Sequence, residues 1–314
     1  MKSLRIVFMG TPDFAVASLK NLVENNYKIV GVITAPDKPA GRGQKLRASA
    51  VKEYAVSSGL TVLQPTNLKN EDFLAELKAL NADLQIIVAF RMLPKLVWAM
   101  PKYGTFNLHA SLLPEYRGAA PINWAVINGE TRTGNTTFFI DEKIDTGAVI
   151  LQQQVEISSL TTAGELHDVL MNDGAVLVQQ TVDLIEEGKV VTKIQPEHEP
   201  KTAYKLTKEN TKINWSLEGD KVHNLIRGLS PYPSAWCFLN DKNKKQKVKI
   251  LLADFERDSH ANSVGSISII EKKVKVSVKD GYINVLKMQL PGKKAMDIRS
   301  LLNGYTFDIN AFFE

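Results

Sequence analysis

Residues 4–9 form a short apolar, β-branched run that stops at once in the turn Gly10-Thr11-Pro12-Asp13. Residues 14–25 then carry helical spacing, so the chain opens as strand, tight turn, helix. That opening is the start of an α/β sheet. It exposes helix-terminal amides, but the second and third glycines of the dinucleotide fingerprint are missing, which argues against a nicotinamide cofactor. An apolar run ended so abruptly by a glycine turn resembles a signal peptide only superficially. No uninterrupted apolar run elsewhere reaches membrane-spanning length, and a cytoplasmic protein is expected.

The alternation continues. Residues 28–34 read as a second strand, 51–58 as a helix and 62–63 as a short strand. Residues 70–80 read as a helix with the apolar stripe Phe73, Leu74, Leu77 and Leu80. Residues 84–90 are a strongly apolar strand that ends in Arg91-Met92-Leu93-Pro94, at the carboxyl edge where open α/β sheets bind ligands. Between the second strand and the next helix, residues 35–47 have neither period. Their prolines, glycines and basic residues predict an exposed loop in which Lys38, Arg42, Lys45 and Arg47 contact successive phosphates. A solvated loop that contributes only solubility competes evenly with that reading.

The stretch on which the chemistry centres is Asn107-Leu108-His109-Ala110-Ser111-Leu112-Leu113-Pro114, followed by Glu115-Tyr116-Arg117-Gly118-Ala119-Ala120-Pro121. In an extended segment Asn107, His109 and Ser111 project from one face. Pro114 and Gly118 impose turns, and Arg117 offers a fork for a carboxylate or phosphate. The competing reading is a polar loop whose histidine satisfies local hydrogen bonds.

Residues 122–128 read as a helix with Trp124 and Ile127 toward the core, and residues 136–140 and 148–151 as strands around an acidic turn at 141–147. Asp145 in that turn is the acid to pair with His109, a turn-stabilising role being its alternative. Residues 162–187 have a long helical pattern in Leu166, Val169, Leu170, Leu177, Val178, Val182 and Ile185, with Gly188 as its stop.

Residues 195–205 read as an interdomain crossing, with His198 between two glutamates solvated. Beyond a helix at 220–227 and a rigid turn at 230–234, short strands at 235–239, 247–253, 264–269, 273–278 and 282–288 favour a small antiparallel barrel or sandwich. A further helix is expected at 297–302. Lys242, Lys244, Lys245, Lys247 and Lys249 form the densest basic run, read as attraction to a polyanion backbone more than base stacking, because few aromatics lie near it in sequence, with a merely solvated turn competing evenly.

At 314 residues the chain is long enough for two domains. Its one cysteine, Cys237, excludes an internal disulfide and a multi-cysteine zinc cluster. His167, His223 and His260 lack a repeated ligand spacing, so no metal is expected. The net charge of +5 permits nucleic acid without requiring it.

If Asn107, His109 and Asp145 converge, the amide stabilises negative charge on a carbonyl oxygen, the imidazole moves protons near neutral pH and the carboxylate assists it. Such a site suits attack by an amine on an activated carbonyl. Ser111 lacks the Gly-x-Ser-x-Gly elbow of a serine nucleophile.

The chain resembles the methionyl-tRNA formyltransferases, within the folate-dependent formyltransferase superfamily. The motifs are Gly10-Thr11-Pro12-Asp13-Phe14, the 36–43 loop, the block from Asn107 to Pro121, Asp145-Thr146-Gly147, the 226–236 segment and the 291–304 region. The resemblance implies an α/β fold, with a Rossmann-like formyl-transfer and folate-binding domain over 1–190. A linker at 191–206 would lead to an OB-type barrel at 207–314 that binds tRNA. The implied donor is 10-formyltetrahydrofolate and the acceptor the free amino group of methionine on initiator tRNA, with no metal, DNA or membrane involved and a monomer expected.

By the same resemblance Asn107, His109 and Asp145 are catalytic, and Phe90, Arg91, Met92, Leu93, Ser111, Leu112, Leu113, Pro114 and Asp141 bind the folate. Lys38, Arg42, Lys45 and Arg47 contact tRNA, Arg42 at the acceptor end. Three positions depart from the family's pattern: Arg91 where glycine is common, Glu115 where a basic residue is usual, and Lys143 where glycine is common. The nearest alternative is a related enzyme that formylates an amino sugar or another small amine, and a noncatalytic RNA-binding protein is the alternative from another class.

Overall fold

The computed structural model describes residues 3–40, 45–196 and 199–314. In chain order it begins with β1 (Arg5–Gly10), α1 (Asp13–Glu24), β2 (Lys28–Ile33), β3 (Lys38–Ala40) and β4 (Lys45–Arg47). Next come α2 (Ala50–Ser57), β5 (Val62–Leu63), α3 (Glu71–Ala79), β6 (Leu84–Val88), α4 (Lys95–Trp98), β7 (Thr105–His109) and β8 (Arg117–Gly118). They are followed by α5 (Pro121–Ile127), β9 (Arg132–Phe139), β10 (Val149–Glu156), the long α6 (Ala163–Glu186) and β11 (Thr202–Ala203).

The chain divides into two compact units that are discontinuous in sequence: Met1–Gly118 with Thr133–Val155 and His167–Thr202, and Ala119–Arg132 with Glu156–Leu166 and Ala203–Glu314. The first unit is built on a seven-stranded sheet in the order β10-β9-β7-β6-β1-β2-β5. Strands β7, β6, β1, β2 and β5 are parallel, and β9 runs antiparallel to β7. Strand order reverses at β1, which has β2 on one side and β6 on the other. The crevice at the carboxyl ends of such neighbouring strands is where this class of sheet places ligands.

Local chemistry sets the helix ends. Ser49 caps α2 by accepting from the Lys52 N–H at 3.1 Å, and Asn70 caps α3 through the Phe73 N–H at 2.9 Å, each an arrangement worth about 1 kcal/mol. Thr162 and Glu165 form a reciprocal capping box at the start of α6, and Gly188, at φ +65°, follows its end. On α6 the expected stripe is buried except for Val169, which is 45 % exposed. Gly174, Ala175 and Thr181 complete the inward face instead. Against Gly174 the backbone fits closely: a Cβ there would lie 2.8 Å from the Leu108 side chain.

The stretch expected as a structureless loop is partly ordered by pairing. β3 and β4 form an antiparallel ladder, Lys38 opposite Arg47 and Pro39 opposite Leu46. Its base is tied by Asp37, which pairs with Lys52 at 2.7 Å and accepts from Gln64 at 2.8 Å. Neither periodicity nor composition signals so short a ladder. Arg42 and His198 lie outside the described residues.

The second unit adds α7 (Gly219–Gly228), β12 (Ala235–Asp241), β13 (Lys244–Arg257), β14 (Ile267–Ile270), β15 (Lys273–Val278), β16 (Gly281–Gln289), β17 (Met296–Asp297), α8 (Ile298–Leu302) and β18 (Phe312–Phe313). Its sheet runs β14-β15-β16-β13-β12-β18. An isolated bridge between Ser266 and Phe312, with the Phe313 N–H donating to Gly265 at 2.9 Å, joins the two ends. Of the barrel and sandwich left open by strand spacing, the barrel-like closure is present. Register shifts in β13 between Ile250 and Ala253 supply the bend that this closure needs.

Inside the barrel are Ile226, Cys237, Val248, Val276 and Ile283. Trp124, expected in a core, is only half-buried and donates through Nε1 to the Tyr204 carbonyl at 2.7 Å, as an indole N–H demands a partner. Ala125 and Val126 are the buried residues of α5.

Candidate active site

β6 and β7 are parallel neighbours, with Ile87 opposite Asn107 and Val88 opposite Leu108, so their carboxyl ends open side by side. Leu108 points to Gly174 on α6. Alternation therefore turns Asn107 and His109 to the other face of the sheet. Asn107 is half-buried and His109 only 7 % exposed.

β7 ends at His109, which takes Ser111 off the expected common face. Ser111 is fully buried in the following turn and donates from Oγ to the Glu115 carbonyl at 2.6 Å. Thr136 Oγ1 donates to the Ser111 carbonyl at 2.6 Å and accepts from the Leu113 N–H at 3.1 Å. The Leu113 carbonyl accepts from Gln152 at 2.9 Å, and the Leu113 side chain packs on Phe138 and Val149. Ser111 and Leu113 thus hold the turn through these bonds. Leu112 and Pro114, half-buried, are the members of this group with surface left.

The turn returns the Tyr116 carbonyl to 2.8 Å from His109 Nε2. A carbonyl oxygen only accepts, so hydrogen-bond pairing assigns a hydrogen to Nε2. Nδ1 then remains as the nitrogen that can gain or lose a proton. It faces Asp145 Oδ2 at 3.8 Å, with the two side chains 8 % and 15 % exposed. That separation is long for a hydrogen bond yet within ion-pair reach, in surroundings where water screens little.

Asp145 adopts φ +54°, the left-handed region. Its Oδ2 accepts from the Gly118 N–H at 3.0 Å. Two residues on, a Cβ at Gly147 would lie 1.7 Å from the Phe139 carbonyl oxygen, so only glycine allows the turn to lie this close to β9. Asp141 shapes the start of the same turn, accepting from the Lys143 N–H at 2.9 Å and Thr146 Oγ1 at 2.8 Å. It is exposed, as is Lys143.

One residue of this site escapes a reading of the sequence. Gln195, placed by composition in a crossing, is 6 % exposed and donates from Nε2 to the carbonyls of Asp145 at 3.0 Å and Gly147 at 2.8 Å. Its Oε1 accepts from Arg117 Nε at 3.1 Å and Nη2 at 2.5 Å. Two donors of the Arg117 fork, read from sequence as an anion site, are committed to this amide.

Beyond the carboxyl end of β6, residues 66–69 and 91–96 line a groove of about 720 Å³. Met92 and Leu96 are exposed along it, while Leu93 turns into the core. Arg91 donates to the Pro65 and Thr66 carbonyls and lies over the Phe90 ring, its guanidinium 5.5 Å from the centroid. Partial burial lowers its pKa from the usual arginine value. The arginine found where the family commonly has glycine therefore braces one wall of the groove. Glu115, another departure, accepts from the Lys201 N–H at 3.0 Å and serves as a strut.

Two basic surfaces stand out among the described residues. In the β3–β4 ladder exposed Lys38 and Arg47 face each other, a like-charge pairing that costs stability unless an anion lies across it. In the barrel, Trp236 and Phe238 alternate with buried Cys237 and stand opposite Lys249 and Lys247. Lys247 Nζ lies 3.8 Å above the Trp236 ring and Lys245 Nζ 4.6 Å above Phe238. Desolvation first, then Lys208 and Lys249, lower the Lys247 pKa. The basic run has aromatic neighbours after all, one strand away in space and hidden from a linear reading.

Among the described residues no group of three or more His, Cys, Asp or Glu is placed to hold a metal, and no helix is long and apolar enough to cross a membrane. Two family models match: Formyl transferase over residues 4–182, and Formyl transferase, C-terminal domain, over 205–306. A methionyl-tRNA formyltransferase of Flavobacterium johnsoniae is 61 % identical over 312 residues, covering 99 % of each chain. This chain belongs to the methionyl-tRNA formyltransferase family. The family member of Parabacteroides distasonis is 53 % identical over 97 % of this chain and 96 % of its own.

Among solved structures, a sugar 3N-formyl transferase crystallised with dTDP and 5-N-formyl-THF superposes with a TM-score of 0.66 at 22 % identity, covering 93 % of this chain and 99 % of its own. An N-formyltransferase of Helicobacter canadensis, in complex with folinic acid and dTDP-3-aminofucose, gives 0.65 at 21 % identity, with 90 % and 99 % covered. These two share the fold. Gln195 lies between the spans of the two family models.

Proposed function

We propose that this protein transfers the formyl group of 10-formyltetrahydrofolate to the α-amino group of methionine on initiator tRNA, releasing tetrahydrofolate and formyl-methionyl-tRNA. One observation carries the reading. A buried histidine and a carboxylate 3.8 Å apart stand at the open end of the strand that bears Asn107, in a chain 61 % identical along its length to a methionyl-tRNA formyltransferase.

The residues fit the donor. Asn107 keeps a half-buried amide at the strand end, suited to a formyl oxygen, and the neighbouring Phe90–Pro94 turn offers apolar side chains beside a groove large enough for a folate ring system. In this reading Phe90, Arg91, Met92, Leu93, Ser111, Leu112, Leu113, Pro114 and Asp141 bind the folate, Ser111 and Leu113 also holding the turn. The methionine amine, neutral when it reacts, adds to the formyl carbon. Negative charge gathers on the formyl oxygen, where the Asn107 amide and the His109 ring stabilise it. The bond from that carbon to folate nitrogen then breaks, and the proton lost by the amine passes to the leaving nitrogen. His109 Nδ1 relays it, and Asp145 stabilises the ring while it is protonated.

Lys38, Arg42, Lys45 and Arg47 hold phosphates near the tRNA acceptor end, and the lysine and aromatic face of the barrel extends the polyanion contact. Residues 1–190 carry the transfer chemistry, 191–206 form a link from which Gln195 reaches back to the Asp145 turn, and 207–314 bind tRNA. The protein acts as a cytoplasmic monomer.

The second reading, an amino-sugar acceptor, draws on the shared fold of the sugar formyltransferases. Acceptor competition separates the two. With labelled formyl donor, charged initiator tRNA takes the label and an excess of amino sugar leaves the rate unchanged. Label transferred to the sugar instead would overturn the tRNA assignment.

A further inference from the structure

We infer that Gln195 is a positioning residue that sets Asp145 against His109, an inference that rests on the formyl-transfer reading above. Gln195 touches no reacting atom. It acts on the two backbone segments that carry the carboxylate's surroundings: the 145–147 turn, and the 117–118 segment whose Gly118 N–H holds Asp145 Oδ2 at 3.0 Å.

The side-chain amide is fully used. Both Nε2 hydrogens go to carbonyls of one turn, and both Oε1 lone pairs go to Arg117. A flipped amide would set its oxygen against two carbonyls and its N–H groups against a guanidinium, so the orientation is unambiguous. The anchor behind it is equally fixed. Lys193, two residues earlier, exchanges backbone hydrogen bonds with Val149 at 2.8 Å in each direction, which ties this segment to the start of β10.

At φ +54° Asp145 holds a backbone conformation that side chains disfavour. A Cβ at Gly147 would lie 1.7 Å from the Phe139 carbonyl oxygen, so β9 closes off one direction in which the turn could move. Gln195 bonds on both sides of Thr146, so the turn cannot relax to a commoner conformation without breaking them. Relaxation would swing the Asp145 carboxylate away from Nδ1, and a displacement of about 1 Å at a reacting site lowers turnover on the order of a hundredfold.

The test uses two substitutions in the full-length protein. Gln195→Met removes donor and acceptor, whereas Gln195→Glu keeps acceptors for Arg117 and removes the donor. If the clamp works through Nε2, both lower kcat about 10- to 100-fold while KM for donor and tRNA stays within about twofold. In an Asp145→Asn background Gln195→Met then costs nothing further, because the group it positions is already gone. A kcat within about twofold of wild type for Gln195→Met, losses that multiply with Asp145→Asn, or unfolding of both single variants would overturn the inference. A wild-type protein that leaves methionyl-tRNA unmodified would sink the functional reading and this inference together, whereas an active wild type with an unaffected Gln195→Met sinks the inference alone.

Discussion

His109 is held at one ring nitrogen, Nε2, by the Tyr116 carbonyl, while Nδ1 faces the Asp145 carboxylate 3.8 Å away. Removing the ring takes away the proposed proton relay but none of the groove at residues 66–69 and 91–96. His109→Ala should therefore bind folate and tRNA with affinities near wild type and lose about 10²- to 10⁴-fold in kcat, measured by single-turnover formyl transfer. Full turnover would remove His109 from the chemistry. Cys237 shows the opposite residue-scale case: burial pushes its thiol far above the usual cysteine range, which leaves it inert packing in the barrel.

The elements differ in how much of them the chain announces. Apolar runs and their punctuation give β1, α1, β2, α3 and α6 nearly to the residue, because strand and helix periods are local properties. The β3–β4 ladder, the Ser111 turn and the Gln195 clamp stay hidden, since each depends on partners far away in sequence. Asn107 and His109 were legible as a pair on one strand, and Asp145 as the acid of a turn. That Arg117 reaches Gln195 could not be read, because its partner lies 78 residues away in sequence.

Helix α7 carries a prediction of its own. Burial first, and then Arg227, hold His223 below its ordinary value of 6.5, against smaller upward contributions from Asp254, the Ala253 backbone and Asp220. The unfolded chain takes up this proton near pH 6.5, and the folded chain resists it. Stability contributed here is present above that pH and is lost as pH falls from it toward the folded value, at a slope under about 1.4 kcal/mol per pH unit. His223→Gln should flatten the fall in urea midpoint between pH 7.5 and pH 5.5. An unchanged profile would mean the ring titrates alike in both states.

On the scale of the whole molecule, basic groups are distributed over the β3–β4 ladder and the barrel face, each suited to phosphates and neither part of the carbonyl chemistry. Arg42→Ala and Lys38→Ala should each lower kcat/KM for charged tRNA and reduce the salt dependence of tRNA binding by about one unit of log–log slope, with folate KM unchanged. An equal loss in folate affinity would place these side chains at the donor site.

The most direct test mixes purified protein with 10-formyltetrahydrofolate and methionine-charged initiator tRNA under single-turnover conditions, and counts both products. The mechanism requires one tetrahydrofolate for each formyl-methionyl-tRNA, with neither formed when methionyl-tRNA is replaced by the uncharged molecule. Folate released without formylated methionine would contradict it.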